Sequence, residues 1–378
     1  MEGMSKSATV VGAGIAGLAA AIALAECDYR VTVIERGKKP DPDSPGGAGI
    51  GISSNGLDAL AELGMKGEVQ RAGVRTRIGS IYTDAGLQLS RPTTTGAGRF
   101  VGIHRQTLLQ LLTDRAEDLG ATIEYEKVIR SDADLPEADL LIGADGIRST
   151  VRKWSFPKVR PDYSGATCWR GVVEADELTP DQLEVWVGRG TEAGIVPIDG
   201  GRAYWYISVK APMGDKSDDE ATLAAETIGP FDSPIYEHVL ATEPASVMRD
   251  DIHYLPTGLK RFTSTRTGTP TILVGDAAHA AMPNAGQGVS QAFEDAATLK
   301  ILLARHRNID NMLAAYDEHR VERSQKIQQQ SFDMFNLMQA NNSISSAVRN
   351  GVLKAVPTLV QELVVDWNMR WPNPRIRN

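Results

Sequence analysis

The sequence ATVV at residues 8–11 is followed directly by GAGIAG at residues 12–17 and by LAAAIALA at residues 18–25. The apolar, partly β-branched first run predicts a strand, the glycines predict a tight turn, and the alanine- and leucine-rich third run predicts a helix. A second β-branched run, VTVI at residues 31–34, ends at Glu35. Because a strand, a crossing helix and a second strand form the unit of parallel sheets, this stretch predicts an α/β fold.

The glycines of this stretch and Glu35 have the spacing of a dinucleotide-binding turn. Gly12 would permit the turn, Gly14 would let the backbone approach a pyrophosphate, and Gly17 would let the helix pack closely on the strand. The phosphates would lie at the helix N-terminus, where free N–H groups and the helix dipole favour negative charge. Glu35 would accept hydrogen bonds from a ribose. The stretch therefore predicts a nucleotide-containing ligand.

Composition narrows the class of protein further. The uncharged run at residues 8–25 is long enough to span a bilayer, but its glycine and alanine content makes it weakly hydrophobic, and its early glycines would break a signal peptide. The net charge of -8 argues against a nucleic-acid partner. The two cysteines provide no disulfide framework and no metal cluster. We therefore expect a soluble cytoplasmic protein without a metal, whose 378 residues exceed one compact core.

Two later regions have their own patterns. GGAGIGI at residues 46–52 could lie flat against a planar ligand, or it could be a plain extended loop that uses glycine for turns. Residues 163–262 alternate aromatic and β-branched runs, which is typical of an antiparallel sheet. The tryptophans Trp169, Trp186 and Trp205 of this region could close over an apolar pocket, or they could simply fill a core.

Three separated motifs together resemble one protein family. They are GAGIAG with Glu35, LLIGADGIRSTVR at residues 140–152, and ILVGDAAHAAMPNAGQGVSQAFEDA at residues 272–296. In this order and at these distances, they are similar to those of the single-component FAD-dependent aromatic hydroxylases, the group that includes para-hydroxybenzoate and salicylate hydroxylases. The resemblance covers almost the whole chain, and the third motif is the most specific.

The resemblance implies a Rossmann-like FAD-binding domain with an inserted, mostly antiparallel β-sheet substrate domain and C-terminal helices. The FAD-binding domain would be discontinuous, over residues 1–76, 98–162 and 263–305. The substrate-binding sheet would occupy residues 77–97 and 163–262, and residues 306–378 would form the C-terminal helical segment.

The resemblance also implies which residues bind FAD. Glu35 and Arg36 would hold the adenosine side, and Asp276 would bind the ribityl hydroxyls. Arg105 would reach the pyrophosphate or the ribityl chain, and Val128 would flank the adenine. The full set is Gly12, Gly14, Ile15, Ala16, Gly17, Glu35, Arg36, Gly49, Arg105, Val128, Asp145, Asp276, Gly286, Gln287, Gly288 and Val289.

Residues 286–289 would place a helix N-terminus against the flavin N1 and C2 carbonyl, where it could stabilise negative charge on reduced flavin. Asp145 would serve FAD and pyridine nucleotide together. The sequence has a single GxGxxG, so NADH or NADPH would bind transiently in a groove and not in a second Rossmann domain. In this family, NAD(P)H reduces the flavin, and O2 then forms a C4a-hydroperoxyflavin that hydroxylates an electron-rich ring.

The candidate catalytic residues are Arg170, Tyr204 and Pro283, with Tyr206 as a further candidate. Arg170 and the tyrosines lie on the expected substrate sheet, where each could equally be a sheet residue with its polar end in solvent. Pro283 lies where the family shelters the reactive flavin carbon. His279 lies in the third motif but is not expected to be catalytic.

The expected reaction is hydroxylation of a small aromatic or N-heteroaromatic substrate by a monomer or homodimer. The segment Glu192-Ala193-Gly194 offers no arginine, which argues against a urate-type substrate. A flavin-dependent epoxidase or reductase of a non-phenolic substrate would share the same cofactor motifs. A non-catalytic module that senses nucleotide or redox state is a further alternative, although it would not need Asp276 or residues 286–288.

Overall fold

The computed structural model describes residues 6–40, 47–90, 99–256, 259–357 and 369–375. The strands are β1 Ser7–Val11, β2 Arg30–Ile34, β3 Gly49–Ser53, β4 Val74–Thr83, β5 Arg99–His104, β6 Thr122–Glu124, β7 Leu140–Gly143, β8 Asp162–Glu174, β9 Leu183–Val187, β10 Thr191–Ile198, β11 Arg202–Lys210, β12 Met248–Tyr254, β13 Thr263–Ser264 and β14 Thr271–Leu273. The helices are α1 Ile15–Ala25, α2 Ser54–Glu62, α3 Lys66–Ala72, α4 Arg105–Asp118, α5 Thr150–Ser155, α6 Glu220–Ile228, α7 Ile235–Ala241, α8 Asp276–His279, α9 Gly288–Arg305, α10 Ile309–Met338 and α11 Ser343–Ala355.

The first sheet has six strands in the order β13-β14-β7-β1-β2-β6. β1 pairs in parallel with β2 and β7, and β14 also pairs in parallel with β7, so strands distant in sequence become neighbours. β1, β7 and β14 are almost entirely buried, as expected for parallel strands covered on both faces by helices. Their carboxyl ends lie at one edge, where ligands of open α/β sheets bind.

The second sheet has eight strands in the order β12-β8-β11-β10-β9-β4-β5-β3. The strands β12, β8, β11, β10 and β9 pair antiparallel, which confirms the mixed α/β fold class with an antiparallel sheet. β4 pairs antiparallel with β5 and in parallel with β9, and so joins the two parts of the sheet. β3 and β5 thus hydrogen-bond within this sheet, although their residues fall in the stretches expected for FAD binding. The domain boundaries stay a prediction.

One face of the eight-stranded sheet packs on helices α6 and α7. Trp169, Trp186 and Trp205 belong to this apolar cluster and are at most 4% exposed. They therefore fill a core, and the alternative that they close over a pocket is wrong. The opposite face, which we call the inner face, carries Arg170, Glu192, Val196, Tyr204 and Tyr206.

Most expected elements are present with small changes at their ends. The short strand β6 ends at Glu124, because Glu126 has a positive φ of 58°. The short helices α3, α5 and α7 were not predicted, since each is too short to show a helical period. The sequence GGAGIGI begins at Gly46, which lies outside the described residues. Within the described residues, helices with the length and apolar character of a membrane span do not occur.

Candidate active site

The three sequence motifs meet at the carboxyl edge of the six-stranded sheet. A Cβ atom on Gly12, which has φ +107°, would lie 2.4 Å from the carbonyl oxygen of Ala144 in the second motif. A Cβ atom on Gly275, at the start of the third motif, would lie 2.6 Å from Cβ of Ala16. The motifs therefore touch through backbone and small side chains. Larger residues at these glycines would separate them.

The first motif leaves a free helix N-terminus at this edge. Gly14 is the N-cap of α1, with no side-chain hydrogen bond to the first turn and no acidic residue in it. Nothing lies within 4 Å of the position of a Cβ atom on Gly14, whereas a Cβ on Gly17 would lie 1.9 Å from the carbonyl oxygen of Gly12. Ile15 and Ala16 complete the first turn. The geometry fits the roles expected of Gly14 and Gly17, with open space in front of uncapped N–H groups.

Glu35 follows β2 and is tied to the glycine turn. Its carboxylate accepts hydrogen bonds from the backbone N–H groups of Ala13, at 2.8 Å, and Gly37, at 2.7 Å. Arg36 beside it is exposed. The backbone of Lys127 also donates to the carbonyl of Glu35, which brings the next residue, Val128, to the end of β2. The apolar side chain of Val128 is 53% exposed, so it is accessible to a planar ligand such as the adenine that it is expected to flank.

Arg105 and Asp276 lie close enough to each other for their charges to interact. Both side chains are solvent-accessible, yet the surrounding protein desolvates them. Desolvation lowers the pKa of Arg105, and Glu35 and Asp276 oppose this shift, which places Arg105 within electrostatic reach of both carboxylates. Desolvation likewise raises the pKa of Asp276, against the effect of His279 and the arginines. The structure therefore brings together residues expected at the pyrophosphate and ribityl ends.

The second motif is fastened by a buried arginine. Asp145 accepts hydrogen bonds from the backbone of Thr150 and Val151 at the start of α5. Arg152 is fully buried and donates to the carbonyl of Ala277, at 2.9 Å, and to that of Ile147. Burial lowers the pKa of Arg152, and Asp145 and Asp276 partly offset this. Asp145 therefore has a capping role in the fold, in addition to any contact with a ligand.

The third motif supplies a second free helix N-terminus. Gly286 has φ +60°, and neither Gly286 nor Gly288 has an atom within 4 Å of a Cβ position. The helix α9 begins at Gly288, has no side-chain cap, and continues through Val289. The side chain of Gln287 does not face this space, since it is 2% exposed and bonded to Asn55 and Ser53. Gln287 can therefore contact a ligand here only through its backbone.

Behind this helix lies a buried ionic cluster that sequence reasoning missed. Arg320 of α10 donates to Asp295 and Glu294 of α9, each at 2.6 Å, and all three side chains are at most 1% exposed. His279 contacts Asp295 at 2.6 Å and is 4% exposed, so it belongs to this cluster. Burial alone would raise the pKa of Asp295, but His279 and Arg320 lower it to about 2. The signal available in the sequence was the adjacent acidic pair Glu294-Asp295 in the interior of α9.

The inner face of the eight-stranded sheet approaches the same space. Tyr204 lies against Gly49, where a Cβ atom would be 2.4 Å from Cβ of Tyr204. Arg170 pairs with Asp250, interacts with Tyr204, and is close enough to Arg105 to lower its pKa. The structure thus brings Arg170 and Tyr204 towards Arg105. The ion pair with Asp250 also gives Arg170 a purely structural interpretation.

A buried carboxyl group on the inner face escaped the sequence analysis. Glu192 is 4% exposed and accepts hydrogen bonds from the hydroxyl of Tyr206, at 3.0 Å, and from the side-chain amide of Asn284. Burial raises the pKa of Glu192 to about 7, and these two hydrogen bonds and Arg349 limit the shift. Asn284 follows Pro283, which is exposed in the 3₁₀ turn Pro283–Ala285. The turn is thus held to the sheet beside Pro283.

These features fit an extended, anionic cofactor. The two uncapped helix N-termini, α1 and α9, offer N–H groups to a pyrophosphate and to a negatively charged ring. Open space in front of Gly14, Gly286 and Gly288 gives room that any side chain would fill. A buried, unpartnered oxygen, Oδ1 of Asp145, leaves an acceptor for a donor from outside the described residues. The residues present therefore fit FAD.

Comparisons with known proteins agree with this geometry. The family described as "FAD binding domain" matches residues 6–331. The chain is 32% identical over 368 residues to the "Aurachin C monooxygenase/isomerase" of Stigmatella aurantiaca, covering 91% of this chain and 93% of that protein. It is 32% identical over 346 residues to the "FAD-dependent urate hydroxylase" of Klebsiella pneumoniae, covering 84% and 86%. A solved structure of a variant of Klebsiella pneumoniae HpxO, complexed with FAD, matches with TM-score 0.84 and 26% identity, over 96% of this chain and 98% of that chain.

Proposed function

This chain belongs to the family of FAD-dependent aromatic hydroxylases, and from that premise we propose that it uses NADH or NADPH, with O2, to hydroxylate a small N-heteroaromatic or phenolic compound. It is an FAD-dependent monooxygenase with an aromatic or heteroaromatic substrate. Bound FAD would supply the redox chemistry that activates oxygen.

One observation carries the proposal: two helix N-termini, those of α1 and α9, have no side-chain cap and have open space at their glycines. At the first, Gly12, Gly14 and Gly17 let the backbone approach a pyrophosphate. At the second, Gly286 and Gly288 leave the N–H groups of α9 free to stabilise negative charge on the flavin ring.

The charged side chains of this space would position the cofactor between those ends. Glu35 is held in place by two backbone N–H groups, and its remaining lone pairs are available to ribose hydroxyls. Asp276 would accept hydrogen bonds from the ribityl chain, and Arg105 would neutralise the pyrophosphate. A raised pKa at Asp276 is consistent with a carboxyl group that solvent alone does not satisfy.

The substrate would lie against the inner face, between Tyr204 and the turn that carries Pro283. Tyr204, which packs on Gly49, would offer an aromatic surface, and Arg170 beside it would offer donors to an oxygen or ring nitrogen. Pro283, exposed in its turn, would exclude water from the reacting edge of the ring.

The test is a purified holoprotein offered NADH or NADPH with a panel of phenols, aminobenzoates, hydroxypyridines, hydroxyquinolines and purines. Pyridine-nucleotide oxidation, O2 uptake, hydrogen peroxide and product mass are followed together. We expect at least one compound to accelerate nucleotide oxidation and to gain one oxygen atom. A protein that holds FAD but transfers oxygen to no member of the panel contradicts the proposed substrate class. Arg170→Met and Tyr204→Leu, which remove the donors and the aromatic surface, should keep FAD and lose the acceleration.

A further inference from the structure

The hydrogen-bonded group formed by Glu192, Tyr206 and Asn284 lies where the substrate sheet meets the third motif. Glu192 is the second residue of β10, and its side chain and that of Tyr206 on β11 share the inner face. Gly194 opposes Tyr206 across the two strands, and a Cβ atom there would lie 2.8 Å from the tyrosine hydroxyl. The missing side chain lets the ring of Tyr206 lie flat over β10, so that its hydroxyl reaches Glu192.

The burial and the hydrogen-bond partners of Glu192 favour a role as proton acceptor over a role that only holds the turn in place. Its carboxylate is buried and forms no ion pair among the described residues, since its hydrogen-bond partners are a phenol and an amide. Burying such a group without a cation is costly. A glutamine could accept the hydrogen bond from Tyr206 and donate to a rotated Asn284 amide without that cost. A carboxyl group retained in these surroundings with a pKa of about 7 exists in both protonation states near neutral pH.

Two further atoms of this group have unused capacity to accept a hydrogen bond. Oδ1 of Asn284 is buried and has no hydrogen-bond partner among the described residues, although its amide nitrogen is bound to Glu192. The hydroxyl of Tyr206 donates its proton to Glu192, so its oxygen lone pairs remain able to accept a hydrogen bond. Asn284 follows Pro283 directly. The open acceptors therefore lie beside the proposed reaction site.

Resting on the proposed function, we propose that Tyr206 and Glu192 form a proton relay for the substrate, and that the substrate is therefore an aromatic or N-heteroaromatic compound with an acidic O–H or ring N–H group. The proton of the substrate passes to the oxygen of Tyr206, while the proton of Tyr206 passes to Oε1 of Glu192. Tyr206 ends unchanged, Glu192 ends neutral, and the ring carries the negative charge that makes it electron-rich. Tyr206 is the contacting residue, and Glu192 acts through it.

The electrostatics around the pair agree with this direction of transfer. Burial, with Glu192 close by, raises the pKa of Tyr206 well above its ordinary value, so Tyr206 cannot itself hold a negative charge and must pass the proton on. The other titratable or charged groups facing the pair are Tyr204 on β11, Cys168 on β8, Arg170, which lies opposite Tyr206 on β8, and Arg349 on α11. Burial raises the pKa of the Cys168 thiol to about 12, so it stays neutral, and Arg349 stays cationic throughout.

The experiment compares Glu192→Gln and Tyr206→Phe with a matched pair on the same sheet, Glu184→Gln and Tyr82→Phe. Glu184 also accepts a hydrogen bond from a tyrosine, Tyr82, at 3.3 Å, but lies apart from the third motif. For each holoprotein we would measure FAD content, flavin reduction by NAD(P)H without substrate, kcat across pH with the compound identified by the panel, and the infrared carboxyl band across pH.

We expect both relay variants to hold FAD and to be reduced as wild type is, while kcat for oxygen transfer falls about 100-fold or more. The wild-type kcat should show a pH dependence with a midpoint near 7 that both relay variants lack. The double variant should be no slower than either single one. The matched pair should behave as wild type.

Two results would overturn the relay. One is a Glu192→Gln enzyme with kcat and pH profile close to those of wild type, which would make Glu192 only a tether for the turn. The other is an infrared difference between wild type and Glu192→Gln that shows no carboxyl group titrating near neutral pH. The infrared result stands without any substrate, so it separates failure of the relay from failure of the proposed function.

Discussion

The two sheets form their contacts at the site in different ways, one through backbone atoms and the other through side chains. At the carboxyl edge of the six-stranded sheet, contacts are made by backbone and glycine, as between Gly12 and Ala144. On the inner face of the eight-stranded sheet, contacts are made by side chains, such as Glu192 with Tyr206. A backbone contact requires glycine at fixed spacing, whereas a side-chain contact depends on which strands become neighbours. The first kind is therefore visible in a sequence, and the second becomes visible only with the strand order.

The largest expected effect tests the backbone side of this comparison. Gly17→Ala would place a Cβ atom 1.9 Å from the carbonyl oxygen of Gly12, whose own N–H is bonded to Ile34. The backbone at Gly12 and the backbone at residue 17 cannot move apart freely. We therefore expect the free energy of unfolding to fall by more than about 3 kcal/mol, and we expect the variant to lose bound FAD. Gly351→Ala, also in a helix but with nothing within 4 Å, should be neutral or slightly stabilising. Urea unfolding and flavin absorbance measure both variants.

A tolerated Gly17→Ala, with stability and FAD content near those of wild type, would remove the distinction drawn between backbone and side-chain contacts at this edge.

The next effect concerns the buried ionic side chains that hold helix α9, whose N-terminus is part of the proposed FAD site. Arg320→Met would leave Glu294 and Asp295 buried without their shared cation, at a cost of about 3–5 kcal/mol. Lys326→Met removes an exposed pair with Glu322 on the same helix and should cost less than about 0.5 kcal/mol. Thermal and urea unfolding compare the two variants. If Arg320→Met costs no more than Lys326→Met, the ionic cluster does not hold α9 in place.

A pH series sharpens the side-chain half of the comparison. Glu192 has a folded-state pKa of about 7 against an ordinary 4.5, so the folded protein favours the protonated acid. That preference stabilises wild type fully below pH 4.5 and is lost as pH rises through about 7, a change of about 3 kcal/mol. The unfolding free energy of wild type should therefore fall relative to that of Glu192→Gln between pH 5 and pH 8, by about this amount. Parallel pH curves for the two proteins would contradict a raised pKa.

The smallest expected effect lies at the ribityl end. Asp276→Ala should remove charged hydrogen bonds to FAD worth about 1.5–3 kcal/mol, so that the protein binds FAD at least about tenfold more weakly and purifies nearly colourless. Asp58→Ala, which removes an exposed partner of Lys66, should leave FAD content unchanged. Flavin absorbance per protein measures both. A fully yellow Asp276→Ala protein would exclude this role for Asp276.

The sequence predicted what depends on short-range pattern. Strands β1 and β2 and the turn at residues 12–17 follow from apolar runs and glycine spacing, and the start of α9 follows from the family resemblance. Glu192 could not be found in this way, because its surroundings come from Tyr206 on the next strand and from Asn284 far along the chain. The direction of the Gln287 side chain, towards Asn55, likewise depends on how α2 packs. What the sequence missed is where distant segments meet.

The pairing of β14 with β7 matters for how the protein is made. Thr271 of β14 lies opposite Leu141 of β7. During synthesis, β1 and β7 therefore leave the ribosome long before β14, which pairs with the open side of β7. Arg152 likewise finds its acceptor on Ala277 only at that stage. Domains fold as units during synthesis, and distant pairings are slow. The nascent chain must therefore expose an unfinished parallel edge until its last quarter emerges, and FAD supplied at that moment would bind and stabilise the completed sheet.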